Sequence, residues 1–263
     1  ILASISGFGQ TGPMREKISF DLVNQAIAGL LSITSEPGEQ PARLGMAVGD
    51  LGGGLFAAVG ILASLIGRER TGQGSHVDIS LHDVLVTLLG GVAQDYLSTG
   101  ADPGPMGTEH LHHVPERVFA ASDGHVAIEA WSDDGWRELV GLADFAVLND
   151  ARWATLEARL AARDEIHAAI EPIIRRRSVG EWQAMLRRPG IGIAPIVTIA
   201  DALDNEQVEA RDLVVENRLE GGLTGRTIGS AFRVNGRHLG THEPPPVLGA
   251  DTALFLAEGV DAA

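Results

Sequence analysis

The sequence predicts an α/β protein, and three observations carry that reading. Strand-like and helix-like apolar patterns alternate along the chain, as they do when helices connect the strands of one sheet. The first strand pattern, Ile1–Ser6, runs into a glycine-rich loop and then a helical pattern. Further on, two short runs flank Asp123-Gly124, a dipeptide that favours the tight turn of a hairpin. A chain of 263 residues, 44% of them hydrophobic, is long enough for one large domain or two smaller ones.

The elements follow in order. Ile1–Ser6 is expected as a buried strand, and Gly7–Lys17 as a loop broken by Gly9, Gly12 and Pro13. Phe20–Leu31 has helical spacing, with Leu22, Val23, Ala26, Ile27 and Leu30 on the apolar side. Ser32–Met46 is expected as loop. Asp50–Ile66 is a second helix, rich in Gly and Ala and therefore suited to close packing. Arg68–Ser75 reads as a polar turn. Val77–Ile79 leads to Ser80, which with Asp83 resembles a capping box opening a helix that runs to about Leu97.

Ser98–Pro115 is loop, with prolines and three histidines. Val118–Ala121 and His125–Ala130 form the expected hairpin. Helical patterns follow at Asp133–Leu142, Arg163–Arg176 and Gly180–Arg187, then a strand at Ile191–Thr198. Ile199–Leu203 and Glu206–Val214 read as short helices and Thr224–Gly240 as strands and turns. Pro244-Pro245-Pro246 precedes a last short helix. The stretch from 98 to 189 is expected as a smaller domain between 1–97 and 190–263.

Composition narrows the function. Without cysteine there are no disulfides, zinc-thiolate sites or cysteine nucleophiles. A formal net charge of −15 argues against binding nucleic acid through its phosphates, while leaving room for a local basic pocket. Apolar stretches such as Leu55–Ile66 are too short to span a bilayer, so no membrane segment is expected. A cytoplasmic location is expected. The chain opens on a strand-like segment without an initiator Met, which suggests that an N-terminal part is absent.

Gly7-Phe8-Gly9-Gln10-Thr11-Gly12 matches the dinucleotide fingerprint, but Pro13 and Met14–Lys17 continue a loop where a helix should begin. A glycine-shaped active-site loop is the better reading. Asp21 stands in the first turn of an apolar helix. It is either an acid suited to the helix dipole or a carboxylate nucleophile approached over the glycines. His110, His112 and His113 form a solvated or substrate-facing loop in preference to a metal site, and no metal is expected. Trp131 and Trp136 read as packing residues, Arg175–Arg177 as a helix end and Gly52–Gly54 as a close helix contact.

The order of motifs says more than any one of them. Ser6–Pro13, then Phe20-Asp21-Leu22-Val23-Asn24-Gln25-Ala26, then Gly29-Leu30, resembles the central block of class III CoA-transferases, the carnitine-CoA and formyl-CoA transferase family. The resemblance continues through Gly49-Asp50, Arg68–Gly74, Val77–Leu81 with Asp83, Phe119 with Ser122–Val126, Gly192–Ile196 and Pro246–Gly249. It implies a Rossmann-like large domain built from both ends of the chain, here 1–97 with a return at 190–263, a small domain, and an interlocked homodimer. It implies that Asp21 carries acyl and CoA groups in turn, with acyl-CoA and a carboxylic acid acceptor as substrates and no metal. Gly107, His110 and His113 occupy the region expected to bind the acceptor; the residues that contact CoA stay unassigned. Two other functions remain open. One is a racemase that uses Asp21 as an acid/base, which Phe20, standing where racemases carry a His, disfavours. The other is a non-catalytic acyl-CoA-binding or assembly subunit.

Overall fold

The structure is a computed structural model that describes residues 1–218, 224–239 and 246–257. The chain divides into two compact units, Ile1–Pro195 and Ile196–Ala263. The boundary expected near residue 98 falls inside the first unit, at the loop that leaves its fifth helix.

The first unit opens with β1 (Leu2–Ser6), α1 (Asp21–Ile27), α2 (Leu30–Thr34), α3 (Val48–Thr71) and β2 (His76–Ser80), with β1 and β2 paired in parallel from Leu2↔His76 to Ser6↔Ser80. Helix α4 (Leu81–Leu88) starts directly from β2, where the Ser80 hydroxyl accepts the Asp83 N–H at 3.1 Å, and α5 (Gly90–Thr99) follows. Strand β1 is less buried than its sequence suggests. Ala3 packs near Ala57, Ile79 and Val84, but Leu2 and Ile5 are exposed. Within the described residues, β2 is its only strand neighbour.

Helix α3 holds this part together through an unusual face. A Cβ on Gly52 would lie 2.9 Å from Val84 Cγ1, on Gly53 2.4 Å from Leu81 Cδ2, and on Gly60 2.7 Å from Val77 Cγ1. Glycine in a helix interior costs about 1 kcal/mol relative to alanine. Here that cost is the condition for seating α3 directly on β2 and α4. The helix ends at Gly72, whose φ of +72° only glycine adopts without strain, with its N–H bonded to Arg68 O at 2.7 Å. The helix is longer than its sequence pattern, because Val48, Gly49 and the residues from Gly67 to Thr71 join it. At that length α3 is apolar enough to cross a bilayer, a correction to the expectation from Leu55–Ile66 alone. Its glycine face is nevertheless packed against protein.

The rest of the first unit forms its own core. Strands β3 (Glu116–Ala120), β4 (His125–Glu129) and β5 (Gly192–Pro195) make an antiparallel sheet in that order. The Asp123-Gly124 turn closes the hairpin with Ala121 N–H bonded to Gly124 O at 2.8 Å. Over the sheet lie α6 (Asp133–Val140), α7 (Leu156–Ala161), α8 (Arg163–Ile174) and α9 (Val179–Leu186), with 3-10 turns at Ala143–Leu148 and Ala151–Trp153. The turns and α7 have too little periodicity to be read from sequence. The largest side chains buried in this core include Phe119, Trp136, Phe145 and Trp182. A full capping box opens α9, Ser178 exchanging bonds with Glu181.

In the second unit, α10 (Ile199–Leu203) and α11 (Glu206–Ala210) precede the antiparallel pair β6 (Val214–Arg218) and β7 (Thr224–Ile228). The helix expected through Val214 stops at Ala210, and Val214 begins a strand instead, next to Asp212 at φ 47°. Strands β8 (Arg233–Val234) and β9 (Arg237–His238) and helix α12 (Thr252–Ala257) follow. Pro244-Pro245 lies outside the described residues.

Candidate active site

Helix α1 reverses the amphipathic expectation. Leu22, Val23 and Ile27 are each 48% exposed, whereas Asp21, Asn24 and Gln25 are buried. The pattern has the right period but the opposite side faces inward. The buried polar side meets the segment 43–49 and α4, and the helix breaks at Gly29, where φ is +88°.

Asp21 is the centre of that polar side. Its Oδ1 accepts the N–H of Gly49, in the first turn of α3, at 2.9 Å, and its Oδ2 accepts Gln25 Nε2 at 2.7 Å. The carboxylate therefore stands in the first turn of its own helix and at the start of a second, both of which favour negative charge. Arg43 Nη2 lies 3.7 Å from Oδ2. Gln25 is fixed in turn, its Oε1 taking the Leu44 N–H at 3.1 Å and its Nε2 reaching Met46 O at 3.3 Å. A Cβ on Gly49 would sit 3.1 Å from Asp21 Oδ1 and 3.2 Å from Leu85 Cδ1, so glycine allows this N–H to approach. Beside them Asn24 is fully buried with neither amide atom paired among the described residues.

The glycine loop is moored close by. Gly7 O accepts the His82 N–H at 3.0 Å, and Gln10 N–H bonds Asp78 Oδ2 at 2.9 Å. A Cβ on Gly7 would be 2.6 Å from Ser19 Cβ, so the loop touches the chain just before Asp21. Gly9 and Gly12 have φ of +82° and +87°.

The histidine loop is a second constellation. Gly107, at φ +56°, packs against Glu36, whose carboxylate carbon would lie 2.3 Å from a Cβ there. The close approach that this glycine permits is thus to Glu36 itself. Met106 and Gly107 donate their N–H groups to Ile33 O at 3.1 Å and Ser35 O at 2.8 Å, which ties the loop to the end of α2. His110 stacks on His113 at 3.9 Å, and His113 on Trp131 at 4.0 Å. His113 Nδ1 lies 2.6 Å from Glu116 Oε2. His112 turns away to Asp95. Burial lowers the His110 pKa, opposed by Glu116 and aided by the neighbouring histidines and Arg163. Its Nδ1 accepts the His112 N–H at 3.1 Å, so the neutral ring carries its proton on Nε2.

His110, His113 and Glu116 are residue types that bind divalent metals, and their ligand atoms lie within 4.8 Å of one another. Two of these rings are stacked 14° from parallel, and His113 Nδ1 is already paired with Glu116.

The sequence pattern singled out Asp21 and the histidine loop as candidates but not Gln25, Arg43 and Gly49, the carboxylate's neighbours. The i,i+4 spacing of Asp21 and Gln25 was a usable signal. Nothing local links Gly49 to Asp21.

A sequence profile described as CoA-transferase family III matches residues 1–252. The chain belongs to CoA-transferase family III. It is 32% identical, over 100% of its length, to an acyl-CoA transferase of Fusarium pseudograminearum, and 31% identical, over 98%, to a succinate–glutarate CoA-transferase of Agrobacterium fabrum. It spans 58% and 65% of the lengths of these relatives. A crystal structure of a CaiB/BaiF family protein from Brucella suis aligns with a TM-score of 0.80 and 32% identity, covering 97% of this chain and 67% of that one.

Proposed function

We propose that this protein transfers coenzyme A between carboxylic acids, with Asp21 as the carboxylate that carries the groups. The observation that carries the reading is a buried carboxylate held by two donors, Gly49 N–H and Gln25 Nε2, at the start of two helices beside a glycine loop. A carboxylate oriented by packed neighbours attacks without first being reorganised.

The steps balance as exchanges of acyl groups. Asp21 attacks the acyl-CoA thioester; the C–S bond breaks, leaving an aspartyl–acyl anhydride and CoA thiolate. The thiolate attacks the aspartyl carbonyl and releases the donor acid, so CoA stays on Asp21 as a thioester. The acceptor carboxylate then attacks that thioester, giving a second anhydride and free thiolate. The thiolate takes the acceptor acyl group and regenerates Asp21. When the thiolate adds to the aspartyl carbonyl, negative charge builds on the aspartyl oxygen, and the Gly49 N–H, which already bonds Oδ1, stabilises it in this reading. His110, through Nε2–H, and His113 hold the acceptor carboxylate in this reading, beside the Gly107 turn.

Trapping tests it. Incubation of the intact enzyme with acyl-CoA should leave a hydroxylamine-cleavable adduct on the peptide containing Asp21, absent from Asp21→Ala and Asp21→Asn. Both variants should lose transfer yet still bind CoA, because Asn keeps the shape but forms no anhydride. An adduct on another carboxylate, or substantial turnover by the Asn variant, would overturn the assignment. Solvent deuterium entering acyl-CoA without any acceptor would instead indicate the racemase chemistry.

A further inference from the structure

The histidine loop has little backbone structure of its own between Glu109 and His113, yet its rings are stacked in a defined order. Outside the loop, Arg163 supplies a reason. It is the first residue of α8, and its guanidinium donates through Nη1 to His110 O and through Nη2 to Leu111 O, both at 2.6 Å. Two successive carbonyls point to the same side here, an arrangement an extended strand does not give, and a planar forked cation is suited to hold both at once.

The guanidinium is itself oriented. Glu109 Oε2 lies 3.4 Å from Arg163 Nη1, while Glu109 Oε1 meets His167 Nδ1 at 3.1 Å and Arg117 Nη1 at 3.3 Å. His167 is buried in α8 and Arg117 lies on β3, so both anchors of Glu109 sit on regular elements of the closed core. The chain of contacts runs from those elements through Glu109 to Arg163, to the His110 backbone, and by stacking to His113.

We infer that Arg163 is a positioning residue for the acceptor acid: by clamping the His110 and Leu111 carbonyls it sets the His110–His113 stack without itself touching substrate. The inference rests on the reading that these histidines hold the acceptor. It explains why a loop can offer a preformed site, since a ring that swings freely loses much of its value as a hydrogen-bond donor.

The test measures both half-reactions in the intact enzyme. Arg163→Ala should raise the Michaelis constant for the acceptor acid roughly tenfold or more, the scale expected when a binding group is misplaced. The constant for the acyl-CoA donor, and formation of the hydroxylamine-cleavable adduct, which needs no acceptor, should stay within about twofold. Arg163→Lys keeps the charge and the start of α8, so it serves if the alanine variant does not fold. It too should raise the acceptor constant, because one ammonium does not reproduce the fork. Added methylguanidine should restore part of the acceptor binding of the alanine variant. His110→Ala is run alongside. If it raises the acceptor constant and both Arg163 variants do not, the positioning role is wrong and the acceptor reading stands. If His110→Ala has no effect, the acceptor reading fails and the inference fails with it. A rise in both constants together would reduce Arg163 to a general structural role and overturn the inference.

Discussion

The two parts of the first compact unit bury opposite things. From Val114 to Ile191 the interior is a closed apolar core of strands and helices, with Trp136, Phe145, Trp182 and Ile166 sealed inside. The buried Arg159 is a built exception. It donates to Val114 O at 3.0 Å and Trp153 O at 3.1 Å, and also to Trp131 O and Asp133. Burial lowers its pKa, but Asp133 opposes the shift and the guanidinium keeps its charge. From Leu2 to Thr99 the arrangement is nearly inverted. Asp21, Asn24 and Gln25 are buried in α1, glycines form the contact face of α3, and Leu51, Leu55, Val59, Leu62 and Ile66 are exposed along that helix. One part stabilises itself by removing apolar surface from water. The other holds a carboxylate in place, and its packing follows from the close approach of backbone to that group.

Deleting a side chain of the closed core should have the largest effect on stability. Trp182→Ala removes a fully buried ring and its Nε1–H bond to Ile174 O at 2.7 Å. It should cost about 3–5 kcal/mol in urea unfolding. A loss below about 1 kcal/mol would mean that the core tolerates a cavity and is less closed than its burial indicates.

Two glycines of α3 sharpen the other side of it. Gly49→Ala presses a methyl against Asp21 Oδ1 and Leu85 and should destabilise by about 1–3 kcal/mol while depressing transfer. Gly54, in the same helix, faces open space, so Gly54→Ala should stabilise by about 0.5–1 kcal/mol in the same melting experiment. Equal effects would remove the argument that packing, and not helix propensity, decides this face.

His167 gives a pH signature confined to the closed core. Burial lowers its pKa, outweighing the opposing pull of Glu109. As pH falls below about 6.5 the unfolded chain therefore takes up a proton that the folded one refuses. Stability should then fall by up to about 1.4 kcal/mol per pH unit from this group, and be unaffected by it above that window. Denaturant midpoints from pH 7 to 5 should show a shallower slope in His167→Gln. An unchanged slope would show that the folded protein protonates His167 freely.

The smallest effect is expected on the bare stripe of α3. Leu55, at 63% exposed, should change stability by no more than about 0.5 kcal/mol when replaced by Gln. A loss comparable to that of Trp182→Ala would mean that something covers this stripe in solution.

What the sequence determined by itself was local. Asp123-Gly124 marked the hairpin turn, which Ala121 N–H closes onto Gly124 O, and Ser80 marked the start of α4 because its hydroxyl takes an orphan N–H. Asp21 stood out as an acid opening an apolar helix. Segments without periodicity, such as Ala143–Trp153, carried no such signal and were missed. The tertiary structure alone decided which side of α1 faces inward, because a helical period fixes spacing but not direction. It alone brought Gly49 N–H to Asp21 and Arg163 to the histidine loop. Those contacts join residues 28 and 53 positions apart, and no local preference encodes where a distant backbone group will stop.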